Sequence, residues 1–95
     1  MPLTRSNLHD PMDDLNVQSI RFPMMNGNAV VTVQVTHRAL AERAAWDRLP
    51  HNLTKLELFL RYRDKIEHIA SSEFDRGQID TSSDATIVRV PNGKL

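Results

Sequence analysis

The stretch Ser19-Ile20-Arg21-Phe22-Pro23-Met24-Met25-Asn26-Gly27-Asn28-Ala29-Val30-Val31-Thr32-Val33-Gln34-Val35 decides the fold. Asn26-Gly27 lies near its centre, and that dipeptide favours a type I′ turn because both residues tolerate positive φ. Folding the chain about it sets Met24 opposite Ala29, Phe22 opposite Val31 and Ile20 opposite Val33. In extended chain, alternate side chains share a face, so these six form one apolar surface. Arg21, Thr32, Pro23 and Val30 take the other. The turn and the alternation specify the same register, which predicts a β-hairpin. Pro23 has no N–H to give to a ladder, so the first strand is expected at a sheet edge.

Downstream the period changes from two to that of a helix. Thr36 can cap a helix from His37 to Arg48, stopped by Pro50. Its alanines (Ala39, Ala41, Ala44, Ala45) favour helix but bury little, leaving Leu40, Trp46 and Leu49 as its apolar mass. Thr54 and Glu57 have capping-box spacing, with Leu53 and Leu58 placed as a hydrophobic staple. The second helix then runs to about Arg76, and Gly77 can end it. Residues 78–84 read as a polar loop and residues 85–90 as a short strand ended by Pro91.

The order strand, strand, helix, helix, strand predicts an α+β fold (ββααβ). Two antiparallel helices would return the chain so that the third strand runs against the second. The expected sheet is three-stranded and antiparallel, in order 1-2-3, with both helices on one face. Residues 1–16 are polar and turn-rich and are expected to form a loose arm. Residues 17–91 would make the single α+β domain, and residues 92–95 a C-terminal tail.

Composition narrows the function. The 95 residues carry 12 Lys plus Arg against 12 Asp plus Glu, so no overall basic excess draws the chain to phosphate. There is no cysteine, hence no disulfide, thiol nucleophile or zinc-thiolate site. No apolar run is long enough to span a membrane, and the first residues lack an apolar signal core. These features suit a reducing, cytoplasmic setting.

One local anomaly stands out. Leu56, Phe59, Leu60, Ile66, Ala70 and Phe74 share a helical face, and Arg63 and Glu67 project from it. A charge on an apolar stripe requires a partner. Three readings are open, with the first preferred: a partly buried structural pair, a pair at a dimer interface, or an anion-binding arginine oriented by a glutamate. The last would be the centre of a small-anion binder or enzyme. The second helix, ~30 Å long, overhangs strands that reach only ~20 Å. Its far end, with Ile69, Ala70 and Phe74, is short of cover, and a C2 self-contact through Ile69 and Phe74 could supply it.

The remaining candidates point to less. His9, His37, His51 and His68 include no i,i+4 pair suited to a metal. Asp10, Asp13 and Asp14 do not fit an EF-hand loop. Ser71-Ser72 and Ser82-Ser83 lack a glycine-framed elbow, and no glycine-rich loop could cradle phosphate. No cofactor, metal or catalytic motif is therefore expected. Arg38, Arg43 and Arg48, with Arg61 and Lys65, could form a basic patch, but Glu42, Asp47, Glu57 and Asp64 are interleaved with them.

Ile20-Arg21-Phe22, Asn26-Gly27, Val31 to Val35, Ala39-Leu40, then Phe59, Arg63, Ile66-Glu67 and Ala70 form a constellation over roughly residues 13 to 90. It resembles the family catalogued as domain of unknown function 1488, small bacterial proteins that are mostly single-domain. The helix pattern Phe59, Arg63, Glu67, Ala70 is its most specific part. The resemblance implies a compact α+β fold and a bacterial origin and supplies no activity. Many relatives carry a cysteine where this chain has Val33, so no role of that thiol carries over. The expected function is a non-enzymatic protein-interaction module acting as a homodimer, with an unknown protein partner. The alternatives are a nucleic-acid-associated regulator using the helix-borne arginines and the Arg63–Glu67 binder.

Overall fold

The computed structural model describes residues 3–8, 10–81 and 86–95. Among these, five strands and two helices follow in the order β1 (Thr4–Arg5), β2 (Met12–Asp14), β3 (Ser19–Asn26), β4 (Ala29–Thr36), α1 (His37–Trp46), α2 (Lys55–Asp75) and β5 (Thr86–Arg89). A short 3-10 turn, Asn92–Lys94, follows. The fold is α+β, as expected, but the sheet has five strands and is mixed. β4 lies between β3 and β5, and both β1 and β2 pair with the outer side of β3.

The β3–β4 hairpin forms with a register two residues from the one read in the sequence. Asn26 pairs with Ala29, Met24 with Val31, Phe22 with Val33 and Ile20 with Val35, so the loop is Gly27-Asn28. Of these two only Gly27 has positive φ (60°), the pattern of a type II′ turn with glycine at its first central position. A shift of two keeps every side chain on its face. Ile20, Phe22, Met24, Val31, Val33 and Val35 are therefore all buried, while Ala29 at the turn is exposed.

Three expectations are corrected. First, β3 is not an edge strand, because β1 and β2 cover its outer side. The reason lies in where the proline sits. In a two-residue hairpin closed by Asn26–Ala29, Pro23–Thr32 is a non-hydrogen-bonded pair, so the missing N–H faces away from β4. On that outer side β1 pairs with Met24 and Met25, and β2 with Ser19 to Arg21, leaving a gap at Phe22 and Pro23.

Second, the described part of the segment expected as a loose arm, residues 3–8 and 10–16, is built into the fold. Besides giving two strands, it buries Leu3 in the core and donates the Leu3 N–H to Ser71 Oγ at 2.9 Å. Third, β5 pairs with β4 in parallel, not antiparallel. A parallel pair requires a long crossover, and the path through α1 and α2 supplies it. The β5 strand is also flanked by Asp80, which exchanges backbone hydrogen bonds of 2.7 and 2.9 Å with Ile87. Ala85 and residues 82–84 of the expected loop lie outside the described residues.

The helix signals are realised locally. Thr36 Oγ1 accepts from the Ala39 N–H at 3.0 Å. Thr54 and Glu57 form both bonds of the capping box, each 3.0 Å. At the other end of α2 the Gln78 N–H donates to Glu73 O and the Gly77 N–H to Phe74 O, a Schellman motif with Gly77 at φ 77°.

The core face of α2 is rotated from the one inferred. Leu58, Phe59, Tyr62, Ile66, Ile69, Ala70 and Glu73 are buried, whereas Leu56 and Leu60 are exposed. Phe59 meets Phe22 with ring centroids 4.8 Å apart. Each fully buried side chain of this size contributes roughly 1.5–3 kcal/mol, so this sheet–helix layer dominates the favourable side of folding. The far end of α2 is covered within the chain. Ile69 is only 8% exposed, Ala70 is fully buried, and Phe74 packs against the core. No helix among the described residues is long and apolar enough to cross a membrane.

Gly27→Val should destabilise the protein by about 1–3 kcal/mol, because a β-branched residue resists positive φ. A urea unfolding curve checks this. Unchanged stability would show that the Gly27-Asn28 turn does not set the register.

Candidate functional site

Three groups of polar side chains surround α2. In the first, Arg63 Nε lies 3.3 Å from Glu67 Oε2, with both side chains mostly buried (18% and 12% exposed). The guanidinium carbon of Arg63 is also 5.7 Å from the centre of the Phe59 ring. The sequence-inferred pair is thus in contact, but it is not alone. Arg5 of β1 reaches across with Nε 2.9 Å from Glu67 Oε2 and Nη2 2.7 Å from Glu67 Oε1. The same Nη2 donates to Asp64 Oδ1 at 2.7 Å. This two-pronged contact with Glu67, reinforced by Asp64, raises the already high Arg5 pKa. Glu67 therefore holds β1 onto α2, and both arginines share one carboxylate.

The second group was not found in the sequence. Glu73 is only 4% exposed and sits near the middle of the buried stripe. At ~100° per residue, Tyr62, Ile66 and Glu73 lie within about 40° of one another. Counting Leu56, Leu60 and Phe74 as core moved the apparent centre to Arg63 and Glu67. With Tyr62 and Ile69 in place of Leu56, Leu60 and Phe74, the centre falls close to Glu73. Its carboxylate bonds Lys94 Nζ and lies 3.5 Å from Arg76 Nη1. The Lys94 contact holds the Glu73 carboxyl below its ordinary pKa, against the opposing effect of burial. A cleft of about 280 Å³ adjoins it, bounded by Gln78, Asp80, Ile87, Arg89 and Pro91, and across it Arg89 pairs with Asp80 at 2.6 Å.

The third group joins α1, α2 and the chain end. Tyr62 Oη donates to Asp47 Oδ2 at 2.5 Å, and Arg43 Nε approaches the same oxygen at 3.1 Å. These bonds lower the Asp47 pKa, with Tyr62 the larger cause. Burial, then the Asp47 contact, raises that of Tyr62. Arg43 Nη1 also donates to the main-chain oxygen of Leu95 at 2.8 Å, and Thr36 Oγ1 lies 2.6 Å from Asn92 Oδ1. Residues 91–95 are thereby clamped beside α1, so the expected tail is a packed strap.

Next to this strap stands the most exposed large apolar side chain of the described residues. Trp46, the only tryptophan in the sequence, is 81% exposed at the end of α1. It borders a shallow cleft of about 220 Å³ floored by Ala39, Gly93 and Leu95. Ile69 and Phe74, where the self-contact is expected, are respectively 8% exposed and partly buried against the core.

The other candidates are dispersed. His37 Nε2 lies 2.6 Å from Asp13 Oδ1, tying β2 to the start of α1. His51 and His68 are exposed, and His9 lies outside the described residues. Asp14 is 3.7 Å from Arg21. Among the described residues no three His, Cys, Asp or Glu side chains converge as a metal site would require. Ser71 accepts the Leu3 bond, and Ser82-Ser83 lie outside the described residues.

Glu67→Met should cost roughly 1–3 kcal/mol, between an exposed and a buried pair, because it leaves two arginines without their carboxylate. Arg63→Met should cost less. A double-mutant cycle of Arg5→Ala with Glu67→Met in urea should show coupling, and additive losses would mean that Arg5 is not held by Glu67.

Glu73 predicts a pH dependence. Its folded pKa lies below the unfolded value, so the stabilisation it provides is present above about pH 4.3 and is lost as pH falls through the folded pKa. Glu73→Gln should be less stable than the parent at neutral pH, with the difference shrinking in acid. A difference that stays constant with pH would show that the charge of Glu73 is not what stabilises the fold.

Comparison with known proteins adds to this geometry. The family described as "Protein of unknown function (DUF1488)" matches residues 10–86. No curated protein matches the chain. Among solved structures, a crystal structure of a protein of unknown function from the DUF1488 family of Shewanella loihica PV-4 has a TM-score of 0.73. The likeness covers 94% of this chain and 91% of that one at 19% identity, which is a statement about fold. With most of its length matched, the chain belongs to the DUF1488 family of proteins of unknown function.

Proposed function

We propose that this protein is a non-enzymatic, cytoplasmic module that acts through protein contacts as a homodimer. The observation that carries the reading is the 81% exposure of Trp46. A tryptophan offers a large, rigid apolar surface, and it is among the residues that contribute most when buried between proteins. The charged groups around α2 support the same reading. Arg63 and Arg5 each bond Glu67, and Glu73 bonds Lys94. On α1, Arg38 faces Glu42 at 2.8 Å and Arg43 faces Asp47, so these two arginines already have carboxylate partners.

Sedimentation equilibrium at micromolar concentration tests the reading. A dimer is expected at both low and high salt, since contacts through apolar surface are little screened. A monomer at every concentration would overturn it. Binding of duplex DNA that weakens steeply with salt would favour a nucleic-acid-associated role instead.

A further inference from the structure

We infer that Asn92 is a site of spontaneous covalent modification, its side-chain amide converting to aspartate and isoaspartate through a cyclic imide formed with the Gly93 nitrogen. Two asparagines of the chain precede glycine, Asn26 and Asn92. A following glycine leaves its backbone nitrogen unscreened, because it has no Cβ. The fold treats the two places differently.

At Asn26 the peptide is held. Asn26 pairs with Ala29 and closes the two-residue turn, so its carbonyl accepts the Ala29 N–H. The Gly27 nitrogen cannot swing towards the Asn26 side chain without opening the hairpin. Glycine there also has a separate purpose, its φ of 60°. Asn92 and Gly93, in contrast, are exposed in the short turn Asn92–Lys94. Among the described residues, neither the Asn92 carbonyl nor the Gly93 N–H makes a backbone hydrogen bond, and the turn is closed by Lys94 N–H on Pro91 O at 3.1 Å. A Cβ on Gly93 would meet no atom within 4 Å, and its φ lies outside the left-handed region, so folding does not require glycine there. The Thr36 hydroxyl donates to Asn92 Oδ1 at 2.6 Å. Attack on Asn92 Cγ puts negative charge on that oxygen, and a donor already aimed at it lowers the barrier.

In the first step the Gly93 nitrogen loses its proton and bonds to Cγ, and the side-chain nitrogen leaves as ammonia. Water then opens the imide at either carbonyl. One opening leaves aspartate, and the other routes the main chain through Cγ as isoaspartate. The net change is asparagine plus water to acid plus ammonia. Isoaspartate lengthens the main chain of the strap, between the Thr36 contact and those of Lys94 with Glu73 and Leu95 with Arg43.

Incubation of the folded protein at mildly alkaline pH, then digestion and mass spectrometry, tests the site. Conversion at Asn92 should outrun that at Asn26 by roughly tenfold or more, the rate effect of about 1.36 kcal/mol in barrier height. In urea that unfolds the chain the two should convert at similar rates. Gly93→Ala should slow conversion at Asn92 and leave urea stability unchanged. Equal rates at the two sites in the folded protein would overturn the inference. So would an Asn92 that stays intact while the unfolded chain converts, since the turn would then protect it.

Discussion

The pairing of β3 with β4 is the constraint on which the rest of the molecule depends. It puts Ile20, Phe22, Met24, Val31, Val33 and Val35 on one face, and Phe59 and Ile66 of α2 pack onto that face. Because strand side chains alternate, a slip of one residue would turn this whole surface to solvent. Gly27, at the one turn position that requires positive φ, prevents such a slip at little conformational cost. Outside the hairpin, β5 adds to its inner edge and the N-terminal segment to its outer edge.

The outer edge shows how a sheet can hold a proline near its centre. Pro23 removes one hydrogen bond from the side facing β1 and β2, and the chain leaves a gap between those strands at that place. Two short strands flank the gap, and each is anchored by side chains. Arg5 fastens β1 to Glu67 of α2, and Asp13 joins β2 to His37 of α1. Arg63 and Glu67 thus serve as part of an attachment between the N-terminal segment and the long helix. Two arginines on one mostly buried carboxylate satisfy charges that would otherwise be costly to place there.

On the other side of α2, Glu73 plays a comparable part for the C-terminal strap. A carboxylate in an apolar stripe requires a cation, and Lys94 brings one while Leu95 enters the core and its main-chain oxygen meets Arg43. The strap forms one wall of the cleft beside Trp46. The proposed interaction surface is therefore held in place by bonds that converge on α1 from two segments distant in sequence. The tryptophan itself is exposed at the end of a helix that buries Ala39 and Leu40.

The sequence by itself determined what depends on near neighbours. The hairpin follows from alternation and a turn glycine, and the ends of α1 and α2 follow from Thr36, Thr54, Glu57 and Gly77, because caps and turns are closed by residues a few positions apart. The Arg63–Glu67 contact was legible for the same reason, as an i,i+4 pair. Tertiary structure alone decided the parallel pairing of β5 and the capture of Thr4–Arg5 and Met12–Asp14 as edge strands. It also decided the meeting of Arg5 with Glu67 and of Lys94 with Glu73. These contacts join segments far apart in the chain, and no local period encodes them. The exposure of Trp46 belongs with them. On composition a tryptophan reads as core, and only the packing of α1 shows that Ala39 and Leu40 fill the buried side and leave the indole in water.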